Sequence, residues 1–266
     1  MKLAVIIPVY NEEQLAPRLL ERLLRTPAPA APVQTDEPNA PSGHVPVVRR
    51  VYVVDDASTD RTPEVLNRFA QSTESGTVTV LRHDRNMGKG AAVRTGLTAA
   101  LRDGADLLLI QDADLEYDPA DHALLVAPIL DGRADAVVGT RFGGEAHRVL
   151  YFWHYLANRF ITLCSNVLTN LNLSDIECCL KAFTREVAQQ LHLKEDRFGI
   201  EPELVAKFAR AKVGQGQSQG QERKPARIFE VAVSYAGRTY AEGKKIGPSD
   251  GVAALWCILK YNVIER

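Results

Sequence analysis

Residues 106–116 read DLLLIQDADLE, a short apolar run that ends in a group of carboxylates. Such a run, bounded by polar residues, predicts a buried β-strand over 106–111. Side chains two residues apart in an extended segment point the same way, so Asp112 and Asp114 can converge on one divalent cation, with Glu116 as a third oxygen ligand. Oxygen-only ligands favour Mg²⁺ or Mn²⁺ over zinc. Because a lone Asp-x-Asp pair is common in loops, its interpretation depends on the surrounding sequence.

Similar apolar runs occur on both sides of this stretch and alternate with helical patterns. We predict further strands at 2–9, 48–55, 78–83 and 135–139. Thr62-Pro63 and Asp118-Pro119 each pair a capping side chain with a proline suited to a first helical position. The alternation predicts an α/β fold, with a mostly parallel, Rossmann-like sheet flanked by helices.

Three more polar clusters follow predicted strands, and the third of them opens a helix. PVYNEE begins at Pro8, VDDAST begins at Val54, and NMGKG spans 86–90. Ligands of open parallel sheets bind beyond the carboxyl ends of the strands, where these clusters fall. A glycine-rich helix start with Lys89 suits a diphosphate. Each motif alone is as easily a turn or a helix cap, but together they suit a nucleoside diphosphate held through a cation.

The overall composition excludes several classes of protein. The 266 residues carry 32 basic and 33 acidic side chains, a formal net charge of −1, which gives no electrostatic reason to expect nucleic-acid binding. The longest apolar region, 149–173, is interrupted by Arg159 and several polar residues, so no transmembrane helix is expected. Four cysteines without metal-ligand spacing and no recognisable export signal indicate reduced thiols in a cytoplasmic protein.

Two segments and one helix depart from the regular alternation. Residues 26–46 and about 213–225 are rich in proline or in glycine and glutamine, and we predict surface loops there. The spacing of apolar residues from Trp153 to Leu171 predicts an amphipathic helix of about six turns. Its apolar stripe either covers the sheet or a neighbouring helix, or lies against a bilayer surface or a lipid acceptor, which would make the protein peripheral on the membrane.

The ordered series of motifs resembles the family 2 glycosyltransferases of the GT-A fold, in particular the polyprenyl-phosphate (dolichol-phosphate) mannose and glucose synthases. The resemblance runs from Leu3 to about Tyr261 and rests on PVYNEE, VDDAST, NMGKGAAVRTG, QDADLEYDP, VVGTRF, SDIECCLKAFTRE, FGIEPELVAK and GRTYAEGKKIG. It implies one GT-A domain over 1–266, with a nucleotide-binding half to about 140 and a C-terminal acceptor-side half from about 141.

The resemblance also implies the residues that hold the donor, a UDP-sugar or GDP-sugar. Those that match the base and ribose site are Pro8, Tyr10, Glu12 and Asp56, with Asp55 beside them. The segment Asp112-Ala113-Asp114 matches the metal and diphosphate site, and Glu116 falls where an additional ligand occurs in lipid-phosphate relatives. Arg238 and Lys244 match a basic loop that closes over the diphosphate, where Arg238 would stabilise the charge of the leaving group.

On the acceptor side, Arg141 resembles the arginine that meets an acceptor phosphate, and Arg148 or Arg159 is a second candidate. Asp175 lies where the family keeps an acidic residue near the acceptor. If the acceptor is a hydroxyl instead of a phosphate, a carboxylate must accept its proton, and Asp175, Glu177 and Glu203 are the candidates. Many lipid-phosphate relatives carry C-terminal membrane helices, whereas this chain ends in an amphipathic helix over 251–261.

We therefore predict an inverting, metal-dependent glycosyltransferase that moves a sugar from a nucleoside-diphosphate sugar to an acceptor, with polyprenyl phosphate favoured over a soluble hydroxyl acceptor. Two other functions remain open. A nucleotidyltransferase would usually place a basic glycine-rich loop after the first strand, where this chain has 8–13. A non-catalytic nucleotide-sugar-binding protein would not need the intact set Asp112, Asp114 and Arg238. The sequence indicates neither the sugar nor the oligomeric state.

Overall fold

A seven-stranded β-sheet forms the centre of the computed structural model, which describes residues 1–32, 44–143, 148, 151–214, 223–238 and 247–265. The strands are β1 (Lys2–Val9), β2 (Ala30–Pro32), β3 (His44–Pro46), β4 (Val48–Asp55), β5 (Val78–Arg82), β6 (Leu107–Ile110), β7 (Ala136–Thr140), β8 (Lys181–Thr184), β9 (Lys212–Val213), β10 (Lys224–Pro225) and β11 (Ile228–Ala232). The sheet has the order β11-β7-β8-β6-β1-β4-β5, and β8 runs antiparallel to both its neighbours. The predicted mostly parallel sheet and its five predicted strands are confirmed.

The strands at the centre of the sheet are apolar along their whole length because both of their faces are covered. In β1, each residue from Leu3 to Ile7 is at most 1% exposed. The parallel register places Val9 beside Asp55 and Ile6 beside Ile110. The carboxyl ends of β1, β4 and β6 therefore emerge side by side at one edge of the sheet.

Eight α-helices are assigned within the described residues. They are α1 (Leu15–Arg25), α2 (Thr62–Ser72), α3 (Lys89–Arg102), α4 (His122–Leu130), α5 (Phe152–Thr169), α6 (Arg185–Ala188), α7 (Ile200–Phe208) and α8 (Pro248–Leu259), the last continued by a π-helical turn at Lys260–Ile264. Proline lies in the first turn of α2, as predicted, while Asp118 caps a 3-10 turn before α4 by accepting from the Ala120 amide at 3.0 Å. Gly96 lets α3 lie directly on β1, since a β-carbon there would come within 2.5 Å of the Ile6 side chain.

Short antiparallel strands stand at both ends of each segment predicted to be a loop. β2 pairs with β3 inside 26–46, and β9 pairs with β10 inside about 213–225. The prediction of plain loops is wrong at these ends, because short strand pairs satisfy the backbone amides and carbonyls there. The composition alone does not predict this pairing. The intervening residues 33–43 and 215–222 lie outside the described residues. The division into nucleotide-binding and acceptor-side halves stays a prediction.

The amphipathic helix α5 turns its polar side inward, so the option that its apolar stripe covers the sheet is wrong for the described residues. Ile161, Thr162 and Ser165 are its buried residues. The apolar side chains of α5 are instead exposed, as are several of α8, which packs against α5, and together they are called the exposed surface. Within that surface Trp153 is 73% exposed and Trp256 is 56% exposed. Among the described residues, no helix is both long and apolar enough to cross a membrane.

Candidate active site

A cavity of about 800 Å³ lies beyond the carboxyl ends of β1, β4 and β6. The strand-end loops, the start of α3, the inner sides of α5 and α8 and the segment after β11 all contribute to its wall. Charged or polar residues of the cavity include Tyr10, Glu12, Asp56, Lys89, Asp112, Asp114, Glu116, Arg141, Asn158, Glu177, Glu201, Tyr235 and Arg238. The topology thus brings most of the predicted site residues to one place.

The two adjacent aspartates after β4 have different roles. Asp56 lines the cavity and fixes the helix-start loop, because its carboxylate accepts hydrogen bonds from the Met87 amide at 2.8 Å and the Gly88 amide at 2.6 Å. His83, which the sequence analysis does not identify, adds a 2.7 Å contact to the same carboxylate. Asp55 is fully buried behind the wall and accepts from the Ser58 amide at 3.0 Å.

The loop after β1 contributes Pro8, Tyr10 and Glu12 to the cavity, as predicted. The intervening Asn11 has a positive φ of 53°, a conformation that asparagine tolerates better than most residues. Its side-chain oxygen accepts from the Thr59 amide at 2.8 Å, which ties this loop to the loop after β4. Two of the polar clusters found in the sequence therefore form one connected rim.

Three carboxylates follow β6, and two cationic side chains pair with them. Lys89 Nζ lies 2.8 Å from Asp112 Oδ1. Arg238 donates from Nη2 to Asp114 Oδ2 at 2.7 Å and from Nε to Glu116 Oε1 at 3.0 Å. Tyr235, a further residue that sequence reasoning missed, donates its hydroxyl to Glu116 Oε2 at 2.8 Å. Arg238 therefore joins two of the three carboxylates predicted to bind metal.

The predicted metal set is only partly assembled. In the parts of the chain that the structure describes, no three His, Cys, Asp or Glu side chains are grouped as a metal-binding set, because Glu116 is turned towards Arg238 and Tyr235. Burial, together with the charges of Asp112 and Glu116, raises the pKa of Asp114 to about 7. This surplus of negative charge and the oxygen-only donors fit a hard divalent cation.

Arg141 and Asp175 form a buried pair elsewhere in the cavity wall, with Arg141 Cζ 5.2 Å from the centre of the Tyr235 ring. Arg141 donates from Nε to Asp175 Oδ2 at 2.6 Å and from Nη2 to Oδ1 at 2.8 Å. Asn158 of α5 donates to the same carboxylate at 3.1 Å. Burial alone would raise the pKa of Asp175, but the Arg141 guanidinium holds it below its usual value. Arg141 lines the cavity and Asp175 does not, so the geometry supports a positioning role for Asp175.

The two candidates for a second acceptor arginine, Arg148 and Arg159, lie outside the cavity. Arg148 donates to the Gly237 carbonyl oxygen at 2.8 Å, next to Arg238, but does not line the cavity. Arg159 is exposed on α5 and reaches only the Ser174 carbonyl oxygen, at 3.4 Å. Lys244 lies outside the described residues.

A second charged cluster forms the cavity floor and was only partly anticipated. Lys89 Nζ also lies 3.0 Å from Glu201 Oε1, and Lys181, which is fully buried, forms an ion pair with the same carboxylate. Glu177 lines the floor beside them, whereas Glu203 lies outside the cavity and accepts from the Lys194 amide at 2.7 Å. The signal in the sequence was charge within otherwise apolar runs, in CCLKAF and FGIEPELVA.

Comparisons with known proteins agree with this arrangement. The family model described as glycosyl transferase family 2 matches residues 4–191. An undecaprenyl-phosphate 4-deoxy-4-formamido-L-arabinose transferase from Photorhabdus laumondii is 28% identical over 243 residues, covering 91% of this chain and 62% of the relative. Its counterpart from Pectobacterium carotovorum is 31% identical over 207 residues, covering 78% of this chain and 56% of the relative. The chain thus spans about three fifths of the length of these relatives.

Solved structures with the same fold include glucosyl-3-phosphoglycerate synthase from Mycobacterium tuberculosis. In its complex with Mn²⁺, UDP and glucosyl-3-phosphoglycerate it superposes with a TM-score of 0.66 at 17% identity, covering 98% of this chain and 80% of its own. Its complex with Mn²⁺, UDP-glucose and phosphoglyceric acid gives a TM-score of 0.65 at 18% identity, covering 98% of this chain and 79% of its own. The predicted GT-A fold is confirmed.

Proposed function

This chain belongs to glycosyl transferase family 2, and on that premise we propose that it moves a sugar from a nucleoside-diphosphate sugar to a polyprenyl phosphate, with inversion at the anomeric carbon. The observation that carries the proposal is the presence of opposite charges in one cavity. A carboxylate-rich group of residues and Arg141, a guanidinium held in place by Asp175, line the same cavity.

The donor would lie along the rim formed by the loops after β1 and β4. Asp56 and Tyr10 line the part of the cavity that would hold the nucleoside, while Lys89 and Arg238 lie among the carboxylates at the diphosphate end. Asp112 and Asp114, with Glu116 in reach, would hold Mg²⁺ or Mn²⁺, which supplies positive charge opposite the departing diphosphate. Arg238 would add a guanidinium fork that suits phosphate oxygens.

The acceptor phosphate would meet Arg141, and its lipid tail would leave between α5 and α8. Both helices contribute small or apolar residues to the cavity, among them Ala157, Ile161 and Ala254. Outside the cavity they carry the exposed surface that includes Trp153 and Trp256. An exposed apolar surface that continues from a binding cavity suits a lipid acceptor and a peripheral contact with the membrane.

A phosphate acceptor is already anionic near neutral pH, so its attack on the anomeric carbon needs no general base. Transfer to a soluble hydroxyl is the second candidate function, because the carboxyl group of Glu177 borders the cavity near Arg141, and its Oε1 atom has no hydrogen-bond partner in the described parts of the chain. Asp175 and Glu203 do not line the cavity. The two candidates therefore differ in whether Glu177 must accept a proton.

The decisive experiment incubates the purified protein with UDP-glucose, UDP-N-acetylglucosamine or GDP-mannose and with Mg²⁺ or Mn²⁺. Each reaction contains undecaprenyl phosphate, phosphoglyceric acid or no acceptor, and products are identified by mass spectrometry. We expect a glycosyl phospholipid from at least one donor only when the lipid phosphate is present. Transfer to the soluble acceptor would favour the second candidate, and donor binding without any turnover would indicate a non-catalytic nucleotide-sugar-binding protein.

A further inference from the structure

The charged groups on the cavity floor balance one another except for one carboxyl group. Lys89 lies 2.8 Å from Asp112 and 3.0 Å from Glu201, and Lys181 forms an ion pair with Glu201 as well. Two cations thus offset two carboxylates. Arg141 and Asp175 form a second balanced pair at the side of the floor. Glu177 is the additional acidic group.

The backbone of Glu177 is held in place, but its carboxyl group lacks a hydrogen bond. Its backbone amide donates to Asp175 Oδ1 at 3.2 Å, which fixes the residue to the pair that orients Arg141. Its Oε1 atom is buried and has no hydrogen-bond partner among the described residues. Burial and the charge of Glu201 raise the pKa of this side chain to about 7. Buried polar atoms in folded proteins are nearly always hydrogen-bonded, so an unsatisfied one that borders a cavity indicates a ligand.

The position of Glu177 indicates which part of a ligand it would meet. Its charged neighbours include Glu201, which pairs with Lys89, and Arg141. The proposed function puts the diphosphate at Lys89 and the acceptor at Arg141. The transferred sugar must lie between these two groups, so the side chain at this point of the floor faces the sugar ring.

We propose that Glu177 is a specificity-determining residue for the transferred sugar, one that accepts hydrogen bonds from neutral hydroxyl groups and rejects sugars bearing a carboxylate there. The proposal rests on the proposed function, because it needs a nucleotide-sugar donor in this cavity. A sugar hydroxyl satisfies the buried oxygen without adding charge. A uronic acid would bring a second anion next to a floor that already holds an unbalanced acidic group, and like charges brought together strongly disfavour binding.

The test compares binding constants measured by calorimetry at pH 8, above the raised pKa of Glu177, for the wild type, Glu177→Gln and Glu177→Ala. The ligands are UDP, UDP-glucose and UDP-glucuronic acid, with GDP, GDP-mannose and GDP-mannuronic acid as the guanine set, all with Mn²⁺. Glu74→Gln, an exposed glutamate outside the cavity, is the matched control. Circular dichroism and thermal melting verify that each variant is folded, and Glu177→Ala provides a second variant in which charge and hydrogen bonding are both lost.

We expect the wild type to prefer the neutral sugar over the uronic acid by about 100-fold, from the cost of juxtaposed like charges. Glu177→Gln should reduce that preference by about 10-fold or more, because it removes the charge and keeps a hydrogen-bonding group. Glu177→Ala should weaken the neutral sugar as well. UDP or GDP alone should bind equally to all variants.

Three outcomes would overturn the proposal, and they are distinguishable. If Glu177→Gln binds nucleotide normally but keeps the wild-type ratio, Glu177 does not select the sugar. If it keeps the ratio and loses kcat in the transfer reaction, Glu177 is the base for a hydroxyl acceptor. If the wild type binds neither UDP nor GDP, the proposed function fails together with the inference.

Discussion

The two sides of the cavity use their carboxylates in opposite ways. On the donor wall, formed by Lys89, Asp112, Asp114, Glu116 and Arg238, acidic groups outnumber basic ones, and the pKa of Asp114 is raised to about 7 by burial and its acidic neighbours. On the acceptor wall, formed by Arg141 and Asn158 with Asp175 behind them, a two-point ion pair holds the pKa of Asp175 below its usual value against the effect of burial. One wall has negative charge to spare, and the other presents a cation.

This difference assigns an electrostatic role to each wall. A surplus of carboxylates attracts a divalent cation and, through it, a diphosphate. A guanidinium that a buried aspartate holds in place is oriented before any anion arrives, which reduces the cost of ordering it on binding. The predictions below change one wall at a time, in order of decreasing expected effect.

Replacing Asp114 with asparagine should remove the excess negative charge of the donor wall. Asparagine has nearly the same size but no charge, so the wall loses a hard oxygen ligand for the cation. We expect metal-dependent transfer to fall by about 1,000-fold, the scale on which loss of a group that stabilises a leaving charge acts. The measurements are the initial rate with Mn²⁺ and the Mn²⁺ affinity in the presence of UDP, followed by electron paramagnetic resonance.

Asp118→Asn is the matched control for this change. Asp118 belongs to the same loop and forms an ion pair with Arg22, but it does not line the cavity. It should leave both readouts within about twofold of wild type, because an exposed ion pair contributes little. Normal rate and normal Mn²⁺ affinity in Asp114→Asn would show that this carboxylate holds no metal.

Replacing Arg141 with lysine tests the acceptor wall while keeping its charge. Lysine can pair with Asp175, so no buried carboxylate is left without a cation, but it lacks the planar fork that binds two oxygens at once. We expect kcat/KM for the acceptor to fall by about 100-fold, with the KM for the donor unchanged.

Arg159→Lys provides the control on the same side of the molecule, since Arg159 is exposed and outside the cavity. It should change neither parameter. An equal loss in both variants would instead support the sequence-based assignment of Arg159 to the acceptor. A loss confined to donor KM in Arg141→Lys would move Arg141 to the donor wall.

The exposed surface next to the acceptor wall should contribute a smaller effect. Replacing Trp153 and Trp256 with serine removes two indole rings that are more than half exposed. We expect binding to anionic lipid vesicles, measured by sedimentation, to weaken by about 10-fold, while UDP binding stays unchanged. Leu124→Ser, at an exposed apolar residue on α4, should have no effect. Unaltered vesicle binding by the double variant would exclude this surface as the contact.

The donor wall was largely predictable from the sequence, and the acceptor wall was not. Asp112 and Asp114 are two residues apart at the end of an apolar strand, and Lys89 opens a helix, so local spacing and the geometry of parallel sheets are enough to bring them together. Arg141, Asn158 and Asp175 come from three segments separated by up to 34 residues. No local pattern places them in contact, and the resemblance indicated Arg141 and Asp175 without indicating that they bind each other.

The orientation of α5 is a second feature that the sequence did not predict. Periodicity predicts an amphipathic helix, and α5 is one, but periodicity does not say which face is buried. Asn158 binds Asp175, and Asn166 binds the Leu173 backbone at 2.7 Å, so polar contacts hold the inner face. The usual assumption that apolar residues point inward fails here because the polar face of α5 supplies hydrogen bonds to the 170s loop.

The last predicted effect is on the pH dependence of folding stability, and it tests Glu177 independently of both walls. Groups that shift its pKa are Glu201, Lys181, Arg141 and Asp175. Its pKa rises from the ordinary 4.5 to about 7 on folding, so the folded protein binds the extra proton between those values. Stability is therefore lost as pH rises through that window, and Glu177→Gln removes the loss. Relative to wild type, the variant should gain about 2.5 kcal/mol between pH 5 and pH 8, or about 5 °C in Tm. A constant Tm difference over this range would mean that the carboxyl group ionises at its ordinary pH and that a cation of the floor already pairs with it.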